Sequence, residues 1–279
     1  MQNGAVLDSI TNDILCMFKS NTGYQHSPYH RHNGYEVYLF LNGSIYFNAE
    51  DKSFELKAGD LILVPPSTPH NVISADNGTS YYQRLILNIK QSVFERLSTS
   101  VTDLSSCFHE RNIEPIHLND AEVERFCELS RNIIDSQQRK SFGADVETDA
   151  FVTLLLLMIN RLSQIRQPPR KNIMSQVVKD VMRYINDHLT EDLSLAKLSE
   201  VTHYNSTYIS SLFKKYTGLT LREYIADLKI EEAKKLLLSG ENVSDACCKS
   251  GFSDYSNFIR TFTKATGLSP GKYAKSMKK

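Results

Sequence analysis

The segment 205–219, NSTYISSLFKKYTGL, returns in altered form 49 residues later as the segment 254–268, DYSNFIRTFTKATGL. Aromatic residues and glycines recur at the same offset, in the pairs Phe213 and Phe262, Gly218 and Gly267, and Tyr224 and Tyr273. Similarity at one fixed offset predicts two copies of one supersecondary unit.

Each copy carries the signals of a helix start and a helix stop. Asn205 and Asp254 have short side-chain acceptors that can cap a first helical turn, and Gly218 and Gly267 suit the left-handed position that ends a helix. Apolar residues at helical spacing follow each cap. A second short helix is predicted before each cap, at 195–201 and 243–250. Two helices joined by a tight turn form a helix-turn-helix, which lays its second helix in the major groove of DNA.

The two units, bridged by a helix predicted at 221–238, resemble the AraC/XylS family of transcription regulators. The matching marks are GFSD at 251–254, TGLSP at 266–270 and the closing Tyr273. The resemblance covers roughly the last hundred residues and implies sequence-specific DNA binding. A helical domain that uses these helices only for packing is the alternative, and the agreement of caps, glycines and aromatic residues argues against it.

The resemblance also implies which side chains meet DNA. The base readers are Thr207, Ser210 and Ser211 in the first copy and Tyr255, Ser256, Asn257, Ile259 and Arg260 in the second. All eight are expected on the helix face opposite the core. Lys214, Lys215 and Lys264 are expected to contact phosphates, which adds affinity without sequence information. Arg260 is the one guanidinium among the readers, and a guanidinium can grip a guanine with two bonds.

Charge is distributed unevenly along a chain whose formal net charge is zero. Residues 1–170 carry 15 Lys and Arg against 20 Asp and Glu, a net charge of −5, and residues 171–279 carry 17 against 12, a net charge of +5. The basic part contains both helix-turn-helix units, which suits a polyanionic partner. A chain of 279 residues is long enough for two domains with separate cores.

No targeting or redox motif stands out. The five cysteines show no CxxC spacing, which favours a reducing compartment. The N-terminal segment lacks the pattern of a signal peptide, and the longest apolar run, 151–159, is too short for a membrane helix. A cytoplasmic protein without a membrane partner is expected.

Short strands separated by turns are predicted between residues 24 and 90. The runs 36–40, 44–47, 53–56, 61–64 and 81–89 are rich in β-branched and aromatic residues, with turn signals between them. Such a pattern is typical of a sandwich or barrel. The fold class expected is α+β with two domains: an N-terminal jelly-roll or β-barrel with a helical hairpin, and an all-α C-terminal double helix-turn-helix.

A group of histidines in this block resembles the metal-binding motifs of cupins. His30, His32 and Glu36 match the first motif and His70 the second, although Ser67 stands where the second motif expects Gly. In metal cupins these four positions bind one divalent metal. Three interpretations remain open: an effector pocket without metal, a metal site for Fe, Mn, Ni or Zn, and purely structural histidines.

A small-molecule pocket in this domain is the leading interpretation. Tyr38, Tyr46, Tyr82 and Arg84 are further candidate lining residues, and strand alternation alone does not tell which of them face inward. The chain has no Trp, so stacking on a sugar effector would use Tyr or Phe.

The rest of the chain divides by its periodicity. Residues 1–118 are predicted as the cupin-like effector domain. Near its start, a weak helical stripe is formed by Val6, Leu7, Ile10, Ile14 and Leu15, and the pattern does not decide whether this segment is a helix. Two helices in 119–166 resemble a dimerisation hairpin, or else only cover the barrel. Two prolines mark 167–172 as a linker, and 173–279 is the DNA-binding domain.

These patterns predict a transcription regulator that is not an enzyme. A small-molecule effector, with a sugar as one candidate, would control a homodimer that binds double-stranded DNA and, as an activator, RNA polymerase. The competing interpretation is a metal-dependent cupin enzyme, a dioxygenase or an isomerase, fused to a DNA-binding module. A scaffold that uses its helices for protein contacts is a third, which the basic charge disfavours.

Overall fold

The computed structural model describes residues 7–8, 12–24, 27, 29–110, 113–139, 141–165 and 168–276. Contacts divide the chain into an N-terminal unit, made mainly of Arg31–Ile173, and a C-terminal unit, made mainly of Met174–Lys279. The two-domain α+β class predicted from the sequence is confirmed, with antiparallel sheets in the first unit and helices in the second.

The strands all lie in the first half of the chain. They are β1 (Leu7–Asp8), β2 (Ile14–Asn21), β3 (Arg31–His32), β4 (Tyr35–Asn42), β5 (Ile45–Ala49), β6 (Lys52–Glu55), β7 (Asp60–Val64), β8 (His70–Ser74), β9 (Tyr82–Ile89) and β10 (Ile116–His117). Five strands form one sheet in the order β10-β7-β4-β9-β2, and three form another in the order β6-β5-β8.

The central strand β4 explains the layers of the N-terminal unit. Its odd-numbered residues, such as Val37 and Leu39, belong to a core shared with helices. Its even-numbered residues, such as Tyr38 and Phe40, belong to a second core with side chains of the three-stranded sheet. Because alternate side chains of a strand point to opposite faces, the five-stranded sheet is covered on both sides. We call the face that carries Tyr38 and Phe40 the inner face.

Four helices complete the N-terminal unit: α1 (Gln91–Leu97), α2 (Ser106–Glu110), α3 (Asp120–Gln138) and α4 (Ala144–Gln164). Asn119 and Glu122 form a capping box at the start of α3, which satisfies two otherwise unpaired N–H groups. The predicted hairpin is therefore present, and the hydroxyls of Ser136 and Thr148, 2.7 Å apart, join its helices inside the core.

The segment after α4 is attached to the sheet rather than free. Arg170 donates to Asp60 across 2.7 Å, and the carboxyl of Asp60 also accepts from the backbone N–H of Lys57 at 2.7 Å. The N–H of Ile173 donates to the carbonyl of Ser53 on β6 across 2.9 Å. Arg170, within the predicted linker 167–172, and Ile173, just after it, are thus hydrogen-bonded to the N-terminal unit, and the contacts change units after Ile173.

From Met174 onward, helices are the only regular secondary structure of the described residues. They are α5 (Gln176–Asp187), α6 (Leu195–Thr202), α7 (Ser206–Thr217), α8 (Leu221–Leu238), α9 (Val243–Lys249), α10 (Tyr255–Thr266) and α11 (Pro270–Ser276). Phe213 and its neighbours form one core, and Phe262 and its neighbours form another. The long helix α8 contributes to both, with Tyr224 in the first and Ala233 in the second.

Several sequence expectations need correction or completion. The weak helical stripe near the N-terminus, whose state the sequence leaves open, is strand at Leu7 in β1 and at Ile14 and Leu15 in β2, and Val6 and Ile10 lie outside the described residues. Strand β8 and helices α1, α2 and α11 were not predicted. Among the described residues, no helix combines the length and the apolarity needed to cross a membrane.

Candidate DNA-binding surface and effector site

The two helix-turn-helix units share one hydrogen-bond frame. The side chain of Asn205 accepts from the N–H of Thr207 at 2.9 Å, and the side chain of Asp254 accepts from the N–H of Asn257. Helices α7 and α10 both end at a left-handed glycine, with φ of 73° in each case. The caps predicted from the sequence are therefore in place.

The threonine before each of these glycines closes the helix in the same way. Thr217 donates to the carbonyl of Phe213 across 2.8 Å, and Thr266 donates to the carbonyl of Phe262 across 2.9 Å. Each hydroxyl also accepts from the N–H two residues later, at 3.1 Å for Leu219 and 3.2 Å for Leu268. The repeated Thr-Gly-Leu of the sequence thus has a structural cause.

The repeated aromatic residues form matching ring pairs. Phe213 and Tyr224 lie edge to face with centroids 5.1 Å apart, and Phe262 and Tyr273 lie edge to face at 5.4 Å. Both phenylalanines are fully buried. Each pair fixes its second helix to the helix that follows, so the outward faces of α7 and α10 are presented by equivalent cores.

Seven of the eight predicted base readers reach the surface. Thr207 and Ser211 on α7 are exposed and Ser210 is half-buried; on α10, Tyr255, Ser256 and Arg260 are exposed and Asn257 is half-buried. The exception is Ile259, which is half-buried and packs against the second core instead of lying on the opposite face. Arg260 donates to the amide oxygen of Asn257 at 3.1 Å, so the two readers are arranged together. Lys214, Lys215 and Lys264 are exposed.

Within the C-terminal unit, a groove of about 1070 Å³ runs between the two helix-turn-helix units. Thr207, Ser211 and Lys214 line it from α7, and Asn257 lines it from α10. Two cations of α8 that are not among the predicted DNA contacts also line it, Arg222 and Lys229. They sit seven positions apart, which is two helical turns, and this spacing is the signal that could have found them.

Lys229 also ties the second unit to the bridging helix. Its Nζ donates to the carbonyl of Gly251 across 2.6 Å, and burial lowers its pKa. Gly251 has a φ of +86°, and a Cβ placed there would lie 2.6 Å from the carbonyl oxygen of Leu189. Only glycine permits this approach, so the turn of the second helix-turn-helix packs directly against the backbone that follows α5.

In the N-terminal unit, three predicted side chains form a buried cluster. Nε2 of His32 lies 2.7 Å from one oxygen of Glu36, and Nε2 of His70 lies 3.8 Å from the other. Phe47 stacks on the ring of His70. His30 is half-buried, and the rings of His30, His32 and His70 offer ligand atoms that all lie within 4.8 Å of one another. Three imidazoles and a carboxylate fit an effector rich in hydrogen-bonding groups, and they also fit a first-row transition metal.

The remaining pocket candidates separate by strand face. Tyr38 and Tyr82 are buried on the inner face with their hydroxyls in contact, and Arg84 lies over the ring of Tyr82. Burial raises the pKa of both phenols, while the nearby guanidinium opposes the rise at Tyr82. Tyr46 alternates with the core residues Ile45 and Phe47, so the expectation that it lines the pocket is wrong, because its side chain points to the opposite face.

Comparisons with known proteins agree with this architecture. The model of the AraC-like ligand binding domain matches residues 12–156, and a helix-turn-helix domain model matches residues 198–276. The uncharacterized HTH-type transcriptional regulator YobQ of Bacillus subtilis is 26% identical over 98% of both chains.

Two further matches extend over most of the chain. The arabinose operon regulatory protein of Salmonella typhimurium is 26% identical over 86% of this chain and 83% of its own. A crystal structure of ToxT from Vibrio cholerae aligns with 12% identity and a TM-score of 0.39, over 94% of this chain and 97% of that chain. The chain belongs to the AraC/XylS family of transcription regulators, as a DNA-binding regulator with an N-terminal ligand-binding domain.

Proposed function

We propose that the C-terminal unit binds two successive major-groove segments on one face of DNA, with α7 in one and α10 in the next. The observation that carries this proposal is the duplicated frame of caps, threonine bonds and ring pairs. It presents the outward faces of both helices from equivalent cores. Adjacent segments of one groove lie about 34 Å apart along the duplex.

A rigid connection between the two helix-turn-helix units supports simultaneous binding of α7 and α10 to DNA. The close approach of Gly251 to Leu189 and the bond from Lys229 to Gly251 leave the second unit little freedom to move against the first. Arg222 and Lys229 place positive charge in the groove between the recognition helices, where the DNA backbone would cross. We assign them to phosphate contact together with Lys214, Lys215 and Lys264.

Selection of binding sites from random DNA tests this proposal. The full chain should enrich two short conserved blocks about one helical turn apart. Tyr216→Phe, which leaves the predicted DNA contacts intact, is the matched control and should enrich the same blocks. Enrichment of one block alone would contradict simultaneous reading by both helices.

We further propose that the cluster of His32, Glu36 and His70 binds the effector. Glu36 lies 2.7 Å from Nε2 of His32 and 3.8 Å from Nε2 of His70, so polar atoms converge in a buried site, which is how sites recognise a small polar molecule. Glu36→Gln keeps the shape and removes the charge. In a reporter strain, this variant should lose regulation by growth conditions while the purified protein retains its selected DNA site. Unchanged regulation would place the effector elsewhere.

A metal-dependent enzyme is the second candidate, favoured by the same donor set. The regulator proposal expects no catalytic turnover and no stoichiometric metal. Elemental analysis of protein purified without an affinity tag decides between them. Stoichiometric iron, manganese, nickel or zinc that is lost in Glu36→Gln would favour the enzyme.

We propose a homodimer formed through α4. Leu154 is 47% exposed, and it lies between the exposed Ala150 and the half-buried Leu157 at helical spacing. Glu147 and Arg161 are each seven residues from Leu154. In an antiparallel pair of α4 helices centred on Leu154, Glu147 of one chain therefore meets Arg161 of the other. Such a self-complementary surface is what a twofold interface needs.

Light scattering of the full chain tests this interface. The wild type should have the mass of a dimer, and Leu154→Glu should be a monomer, because the change places two like charges at the centre of the contact. Val101→Glu adds the same charge at a fully exposed loop position and should remain a dimer. A monomeric wild type would contradict the proposal. As a DNA-bound regulator the dimer would act in the cytoplasm, with RNA polymerase as a partner where it activates.

A further inference from the structure

The inner face of the five-stranded sheet carries two cations opposite each other. Lys19 on β2 is the cross-strand partner of Arg84 on β9, and Arg84 is in turn the partner of Phe40 on β4. Cross-strand partners share a face, and like charges directly opposite destabilise a sheet. The pair therefore needs compensation of its positive charge.

The described residues do not provide that compensation by an acidic side chain. Arg84 donates to the amide oxygen of Asn21 across 2.8 Å, and this neutral group is its hydrogen-bond partner. Within the same described part of the chain, neither Lys19 nor Arg84 is ion-paired with a carboxylate. Arg84 is half-buried and Lys19 exposed, so a molecule from solvent can reach both.

Aromatic rings surround the guanidinium and fix its position. It lies 4.2 Å from the ring centroid of Tyr82 and 5.7 Å from that of Tyr24. The two rings are themselves 4.7 Å apart. Stacking on aromatic faces holds a guanidinium while leaving its edge N–H groups available. A planar carboxylate matches such an edge with two parallel hydrogen bonds.

We propose that the effector carries a carboxylate, which binds Arg84 and Lys19, and an aromatic or apolar body, which packs on the half-buried Tyr24. This inference rests on the proposed effector site and adds the chemical class of its ligand. The buried phenols of Tyr38 and Tyr82 link this end of the inner face to the end that holds Glu36. A carboxylate at Arg84 would lie away from the like charge of Glu36, because Glu36 and Phe40 are four residues apart on the same strand.

Benzoate and benzamide form a matched pair of probes, equal in shape and different in charge. Thermal unfolding of the full chain is measured with each at equal concentration and ionic strength, because a ligand that binds the folded state raises the midpoint. Benzoate should stabilise the wild type more than benzamide does. Arg84→Gln should weaken benzoate binding by about tenfold or more, as expected for loss of a charge-assisted bidentate pair.

Two variants make the result specific. Lys19→Gln changes an exposed side chain, so its folding is not in question, and it should reduce the benzoate effect by less than Arg84→Gln does. Arg125→Gln removes a cation from the exposed face of α3 and should leave the benzoate effect unchanged.

The proposal is overturned if benzoate has no effect on the wild type or acts like benzamide. It is also overturned if the benzoate effect survives both Arg84→Gln and Lys19→Gln. In any of these cases, a chain that still selects its two-block DNA site remains a regulator. Selection of the DNA site thereby distinguishes failure of the carboxylate site at Arg84 and Lys19 from failure of the proposed function as a regulator.

Discussion

The two helix-turn-helix units use the same frame with different cores and different surfaces. In the second, the buried Ala246 and Cys247 of α9 and the buried Ser250 that follows it are small, whereas α5 and α6 supply the first with side chains as large as Met182 and Leu198. On the surface, α7 offers short hydroxyls and α10 offers Tyr255, Asn257 and Arg260. The two copies of the repeat therefore share their hydrogen-bond geometry but differ in the volume of their core side chains and in the chemistry of their surfaces. We infer that α10 supplies most of the sequence discrimination.

The largest effect should come from emptying either core. Phe213→Ala and Phe262→Ala each remove a fully buried ring and should lower the free energy of unfolding by about 3–5 kcal/mol. Urea unfolding followed by circular dichroism measures this. Tyr208→Ala and Tyr255→Ala, which truncate half-exposed rings on the same helices, should each change it by less than about 1 kcal/mol. A mild effect of either phenylalanine change would show that its unit is not held by its core.

A smaller effect should separate the two threonines. Thr217 is fully buried and Thr266 is half-buried, although their hydrogen bonds match. Thr217→Val should cost about 1–3 kcal/mol, because the N–H of Leu219 loses its partner away from water. Thr266→Val should cost about 0.5–1.5 kcal/mol, because water can replace the lost bond. Equal costs in the same urea experiment would mean that burial does not distinguish the two frames.

Removal of a cation from α10 and removal of a cation from α7 should change DNA affinity in different ways. Arg260→Ala should cost about 1–3 kcal/mol on the selected site and relax the preference at one base pair. Lys214→Ala should weaken all sequences alike and lower the slope of affinity against salt by about one. Fluorescence anisotropy with selected and random DNA at several salt concentrations measures both. An equal loss on both DNAs for Arg260→Ala would make it a phosphate contact.

The smallest effects should come from the caps. Asn205→Ala and Asp254→Ala should each lower the free energy of unfolding by about 1 kcal/mol. Asp254→Asn keeps a capping oxygen and removes the charge, so it should cost only a few tenths of a kcal/mol. A cost as large as that of Asp254→Ala would show that charge, rather than the hydrogen bond, is what Asp254 contributes.

The C-terminal unit could be predicted well because its signals are local. A cap, a helical stripe and a terminal glycine occupy adjacent positions, as they do around Asn205 and Gly218, and the second copy repeats them. The prediction placed Ile259 on the outer face of α10, but only half a turn of a helix separates a surface position from a core position. The burial of its side chain depends on the packing of α10 against its neighbours.

The N-terminal unit was less predictable because its decisive contacts are distant in sequence. The gathering of His32, Glu36 and His70 followed from motif spacing. The inward direction of Tyr82 and the outward direction of Tyr46 depend on strand pairing, which no single strand specifies. The bond between Arg170 and Asp60 joins residues 110 positions apart. Strand β2 was missed because the adjacent Ile14 and Leu15 suit a helix as well as a strand.

Hydroxyl-radical footprinting of the full chain on its selected site shows directly whether α7 and α10 of one chain bind successive segments of the major groove on the same face of the duplex. Two recognition helices held in one rigid unit should protect two windows on the same face of the duplex, about one helical turn apart for each chain bound. Arg260→Ala should weaken protection in the window assigned to α10 more than in the other. A single protected window per chain, or two windows on opposite faces, would contradict the account.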